Sequence, residues 1–357
     1  MINRRAFSKV FTAGAAAATS VPGLAAASAA TPGAGRPGTT TPGVGGPVVI
    51  PPITPGTHTS LSLLKQVRAG ELNIGYAEEG PADGPVVICL HGWPYDIHSF
   101  VDVAPTLAAA GYRVIVPYLR GHGTTTFLSP RAVRNAQQSA IALDIIALMD
   151  TLKIRKAVLA GFDWGSRTAD IIAALWPDRV KALVSVSGYL ITNLKKQKLP
   201  LKPGPEHVWW YQYYFATDRG QDGFRTYTKE FTRLVWQLVS PTWNFDDATF
   251  DRTAAAFSNP DYVPIVIHNY RWRLSLADGE RRYDHLEKRL AATPTISVPT
   301  ITLDAELDPF TTPDNGASYR SMFTGPYAHR TLNGIGHNVP QEAPQAFTQA
   351  VMDADNL

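Results

Sequence analysis

Five short apolar runs recur along the chain: Val86–Leu90, Arg113–Tyr118, Ala157–Phe162, Ala182–Val186 and Thr300–Leu303. They are short and rich in Val, Ile and Leu, the pattern of strands buried on both faces of a parallel sheet. Between them the period changes. Within Ala132–Leu152, residues Ala140, Leu143, Ile146 and Ala147 fall three and four apart, on one helix face. Ser166–Trp176 and Gln341–Asp353 read the same way. Alternating strand and helix predicts the α/β class, a doubly wound and mostly parallel sheet. The alternation stops near residue 190 and resumes near 290. The intervening stretch looks helical and holds most of the tryptophans, including Trp209-Trp210-Tyr211-Gln212-Tyr213-Tyr214-Phe215. We read 59–190 and 290–357 as the core. Residues 191–289 read as a helical lid over the strand C-terminal ends, where open α/β sheets bind ligands.

The N-terminus departs from this pattern. Asn3-Arg4-Arg5-Ala6-Phe7-Ser8-Lys9 precedes a mildly apolar, Ala-rich stretch. Residues 1–30 resemble a twin-arginine export signal, which implies a periplasmic or extracellular protein. Ala27-Ser28-Ala29 fits the cleavage site, with Ala25-Ala26-Ala27 as competitor. Residues 31–58, rich in Thr, Pro and Gly, read as a disordered linker. The formal charge of +3 comes from Arg4, Arg5 and Lys9 in the signal, so the rest of the chain is neutral and carries no nucleic-acid signature. No apolar run is long and unbroken enough to span a membrane in the mature form. The single cysteine, Cys89, lies inside an apolar run and reads as a small buried hydrophobe.

Gly161-Phe162-Asp163-Trp164-Gly165 follows a strand and opens a helix, the context of a nucleophile elbow. Asp stands where such elbows usually hold Ser. A carboxylate is ionised at neutral pH and suits displacement at an sp³ carbon, giving an ester that water then hydrolyses. His91-Gly92-Trp93-Pro94 follows Val86–Leu90, where a backbone N–H can join the N–H after the nucleophile in an oxyanion hole. We assign those donors to Trp93 and Trp164, and read His91 as structural. Gly334-Ile335-Gly336-His337-Asn338 closes the last strand and places a histidine late in the chain, as the order nucleophile–acid–histidine requires. Asp308, past the end of Thr300–Leu303, supplies the orienting acid, with Asp304 at the strand edge as the alternative.

Together His91-Gly92-Trp93-Pro94, Gly161–Gly165, Ala305-Glu306-Leu307-Asp308 and Gly334–His337 resemble the epoxide hydrolase and haloalkane dehalogenase branch of the α/β-hydrolase fold, over about residues 60–357. Tyr211-Gln212-Tyr213-Tyr214-Phe215 and Asn269-Tyr270-Arg271 look like the epoxide hydrolase segments carrying the two lid tyrosines. The resemblance implies that Tyr211 and Tyr270 grip an epoxide oxygen, and that the product is a vicinal diol. A phenol of pKa ~10 can donate to the opening oxygen and stay protonated at neutral pH.

The alternative is hydrolytic dehalogenation of haloalkanes or haloacids, with the indoles of Trp164 and a lid residue such as Trp209 holding the halide. A non-catalytic binder of an apolar ligand is a third reading, opposed by the Asp–His–Asp set. Phe162 stands where the family usually has histidine, and Tyr118 where it often has aspartate. Arg167, four residues after the nucleophile, resembles the arginine that holds a substrate carboxylate in fluoroacetate dehalogenases. Those also carry arginine where this chain has Trp164, so Arg167 reads as structural. The sequence shows neither metal-ligand spacing nor a phosphate-binding glycine loop. We therefore expect no cofactor and no metal, only water and a small apolar substrate under the lid.

Overall fold

The computed structural model describes residues 50–311 and 313–357. Residues 1–30, read above as an export signal, and residues 31–49 of the expected linker lie outside the described residues. The sheet contains strands β1 (Lys65–Ala69), β2 (Leu72–Glu79), β3 (Val86–Leu90), β4 (Arg113–Pro117), β5 (Thr126–Phe127), β6 (Ala157–Gly161), β7 (Val180–Val186), β8 (Thr300–Ala305) and β9 (Tyr327–Leu332). Their order is β1-β2-β4-β3-β6-β7-β8-β9, with short β5 on β2. Pairing is parallel from β4 to β9 and antiparallel around β2. This is the doubly wound, mostly parallel sheet that the alternation predicts. Strand β6 is buried along its whole length, which is why it carries no polar position. Cys89 is fully buried in β3, where burial raises its thiol pKa.

The chain leaves the sheet after β7 and returns at β8. Between them run helices from Leu194–Gln197 to Asp284–Ala291, the helical insert. Among the described residues no helix is long and apolar enough to cross a membrane.

Three expectations need correction. The helix predicted over Ala132–Leu152 begins only at Gln138. The preceding backbone is held by side chains instead: Ala136 N donates to His268 Nδ1 at 3.0 Å, and Gln137 N to Asn135 Oδ1 at 2.8 Å. The single helix predicted over Gln341–Asp353 is two, Val339–Glu342 and Pro344–Asp355. Pro344 has no N–H to continue the first helix and biases Ala343 out of the helical region. Finally, the last residues of the linker are fastened to the core. Gly56 N and His58 N donate to the Asp102 carboxylate at 2.6 and 2.8 Å, Ile53 N donates to Gln345 Oε1 at 2.6 Å, and Ile50 is buried. Composition reports the flexibility of a segment but not an acceptor lying dozens of residues away.

Candidate active site

β6 ends at Gly161 and the next helix, Trp164–Leu175, starts three residues later. Asp163 sits in the turn with φ +53° and ψ −121°, a conformation costly for any residue with a Cβ. Crowding explains the glycines around it. A Cβ on Gly161 would strike the Gly165 backbone, one on Gly165 the Leu90 carbonyl, and one on Gly92 the Asp163 side chain itself. The turn thus presses the carboxyl against the loop after β3, where Trp93 N donates to Asp163 Oδ1 at 2.8 Å. Trp164 N–H opens the helix and has no carbonyl within it to bond. Burial works to raise the Asp163 pKa. The nearby His337 ring and its charge, the charge of Arg167 and the Trp93 N–H outweigh it and hold the carboxyl below its ordinary range.

His337 arrives from the loop after β9. Its Nδ1 lies 2.7 Å from Asp308 Oδ2, while Asp308 Oδ1 accepts from Phe310 N at 2.9 Å. Nε2 is turned to Asp163 Oδ2 at 3.7 Å and has no hydrogen-bond partner. Asp304, the alternative acid, instead accepts from Tyr319 OH at 2.7 Å and lies beside His329. Burial alone would lower the His337 pKa, but the charge and hydrogen bond of Asp308 and the nearby Asp163 carboxylate raise it to about 10. The two neighbouring carboxyl groups thus favour the protonated form of the His337 ring.

Tyr211 and Tyr270, from helices Trp210–Ala216 and Tyr262–Arg273, are both buried and meet edge to face with ring centroids 5.1 Å apart. Each also packs on Trp93 at 5.1 Å. Trp164 Nε1 donates to Tyr270 OH at 3.4 Å. Burial first, and the charge of Asp163 among the further causes, raise both phenol pKa values, so both are O–H donors at neutral pH. A cavity of about 450 Å³ opens onto Asp163 and His337 and is also lined by Arg167, Trp209, Arg273 and Phe310. The two phenols are not part of that lining. They stand over Trp93 and Trp164, and Tyr211 borders a second, apolar hollow with Leu234, Val235 and Leu238.

The structure thus brings Asp163, His337, Asp308 and the Trp93 N–H together, with both tyrosines under the influence of Asp163. His91 is fully buried and accepts from Leu119 N through Nε2 at 3.1 Å, away from the chemistry. Phe162 is buried against Tyr95, Phe100 and His337, so packing replaces the polar contacts a histidine there would make.

Sequence reasoning missed three residues. Ser240 Oγ and Val239 O both accept from His337 N, at 3.0 and 3.1 Å. Glu342 accepts from Gly336 N at 2.8 Å, Asn338 N at 3.0 Å and Ser240 Oγ at 2.6 Å, clasping the histidine loop. Arg273 lines the cavity from the insert. Glu342 carried a usable signal, since it follows the glycine-flanked histidine by one turn. Ser240 and Arg273 carried none.

Residues 85–344 match the family model described as the alpha/beta hydrolase fold. The crystal structure of a candidate epoxide hydrolase from Klebsiella pneumoniae is 60% identical, with a TM-score of 0.81, covering 82% of this chain and 97% of that one. Epoxide hydrolase B of Mycobacterium tuberculosis is 32% identical over 292 residues, 76% of each chain. A haloalkane dehalogenase of Mycobacterium marinum is 32% identical over 138 residues, 39% of this chain and 44% of that one.

Proposed function

The chain belongs to the alpha/beta hydrolase fold family and is an epoxide hydrolase-like hydrolase, and we propose that it opens an epoxide to a vicinal diol through an ester on Asp163. The observation that carries this reading is the split role of the Asp163 carboxyl. Oδ1 is held by the Trp93 N–H, and Oδ2 is left toward His337 and the cavity. Oδ2 attacks an epoxide carbon, the carbon–oxygen bond breaks, and the oxygen takes a proton from the Tyr211/Tyr270 pair. Esterification removes the charge of Asp163, one of the groups that keep His337 protonated, so His337 gives up its proton and the phenol is restored. Nε2 then takes a proton from water, whose oxygen adds to Cγ. Negative charge develops on Oδ1, where Trp93 N–H, joined by Trp164 N–H, stabilises it. The tetrahedral species collapses, the proton of the new carboxyl passes to the departing alkoxide, and the diol leaves.

Dehalogenation would use the same Asp163 and His337 but needs a free indole donor for the halide. The Trp164 indole N–H is directed at Tyr270 OH at 3.4 Å, while the Trp93 indole N–H is buried without a partner, so the choice between the two reactions rests on the tyrosine hydroxyls. The test is single-turnover alkylation with the best substrate from a panel of epoxides and haloalkanes. Changing both Tyr211 and Tyr270 to Phe keeps the rings and removes both O–H groups. For an epoxide the double variant slows alkylation by at least the roughly 10²–10³ that one oxyanion donor is worth. An undiminished rate, with halide as the product, transfers the assignment to a dehalogenase.

A further inference from the structure

The cavity wall carries more positive charge than this chemistry uses. Arg167 reaches it from the helix behind Asp163, Arg273 from the last turn of helix Tyr262–Arg273, and exposed Lys196 stands at its rim. The two arginines are 6% and 7% exposed. Neither forms an ion pair with a carboxylate among the described residues. Arg167 Nε donates to the Leu190 carbonyl at 3.2 Å. The Arg273 guanidinium lies 5.0 Å from the Trp209 ring centroid, and its buried Nε has no partner.

A buried guanidinium is costly unless an anion accompanies it. Here burial, followed by the charge of Arg273, pulls the Arg167 pKa down to about 10, which still leaves it charged at neutral pH. The acids nearby do not offset the pair. Asp308 and Glu342 lie behind His337 and are engaged there. Asp170, one turn beyond Arg167, is itself raised to about 7 by burial and accepts from Leu190 N. Asp163 is the one carboxylate lining this cavity among the described residues, and alkylation neutralises it.

We infer that the substrate is an anion, a small epoxide bearing a carboxylate that Arg167 and Arg273 hold while an epoxide carbon faces Asp163. Guanidinium matches a carboxylate in planar, two-bond geometry, which explains arginine at both positions. Trp209 and Phe310, with ring centroids 4.3 Å apart, supply apolar wall for a short hydrocarbon portion. The fate of the anion rests on the epoxide reading, but its capture does not.

The test separates the two. Calorimetric titration compares butanoate with butanamide, unreactive and matched in size. Steady-state assays compare a terminal epoxide carboxylate with its primary amide. Butanoate is expected to bind roughly 10–100-fold tighter, the range for hydrogen bonds to a charged group. Arg273→Gln and Arg167→Gln are each expected to erase most of that preference, and the epoxide carboxylate to exceed its amide in kcat/KM, chiefly through KM. Equal binding of butanoate and butanamide, with both epoxides opened alike, overturns the anion site and leaves the epoxide reading standing. A preference for butanoate with neither epoxide opened overturns the epoxide reading and leaves the anion site. A preference that survives both arginine substitutions overturns the assignment to these residues.

Discussion

At the residue scale the site depends on how two carboxylates share one imidazole. His337 sits between Asp308 at 2.7 Å and Asp163 at 3.7 Å, and the pair raise its pKa to about 10 against the opposing effect of burial. Only the neutral ring can accept a proton from water. In the ester Asp163 is uncharged, so the His337 pKa falls from its resting value, and hydrolysis accelerates as pH rises through that lowered value. Alkylation needs ionised Asp163, held below the usual carboxyl range, and protonated phenols, whose pKa values are both raised, so it stays flat from neutral pH into mild acid. Rapid-quench mass spectrometry should therefore show the ester accumulating at acid pH. In His337→Gln it should persist at every pH, on a peptide containing Asp163. An adduct elsewhere, or none with a confirmed substrate, removes Asp163 from the nucleophile's role. Asp163 and His337 were legible because a glycine-flanked turn after a strand is a local pattern. The arginine pair was not: Arg167 read as structural, and Arg273 joins it only through the packing of the insert.

At the element scale, the histidine loop has no regular structure to hold it, and Glu342 takes that role from the following short helix. Both its oxygens act as acceptors, Oε2 for Gly336 N and Oε1 for Asn338 N and Ser240 Oγ. A glutamine must turn its NH₂ toward one of these donors, leaving two donors face to face in a buried place. Glu342→Gln is therefore expected to shift His337. Hydrolysis of the ester should slow by roughly 10–100-fold, the scale of an ångström-sized misplacement, while alkylation changes less. The check is the ratio of the two single-turnover rates; equal slowing of both steps would mean that Glu342 supports the fold alone. Sequence periodicity located β3 and β6 because both are buried and built of apolar residues, and β8 because Ile301 and Leu303 alternate with buried threonines. It misplaced the helix start at Gln138 and the break at Pro344, where side-chain acceptors and a missing N–H decide.

At the scale of the whole molecule, composition separates a chain that folds around its own core from an N-terminal segment of another character. Cys89 is buried and has no cysteine to pair with, so no disulfide contributes to stability. The sheet joins strands far apart in sequence, β7 with β8 across the whole insert. Such long-range pairing is slow to form. A protein of this kind benefits from completing its fold where it is made and crossing the membrane afterwards, and we propose that Arg4-Arg5 directs it to the twin-arginine route. Lysine at both positions keeps the positive charge and removes the guanidinium pair, so the substitution tests recognition rather than net charge. The double variant should remain in the cytoplasm as a full-length precursor, already folded and active on the same substrate as the exported form. Fractionation followed by activity assay and immunoblotting of both compartments reads the outcome. Export of the Arg4→Lys, Arg5→Lys chain at the wild-type level would show that this pair is not the signal, and would place the protein's destination under some other part of the chain.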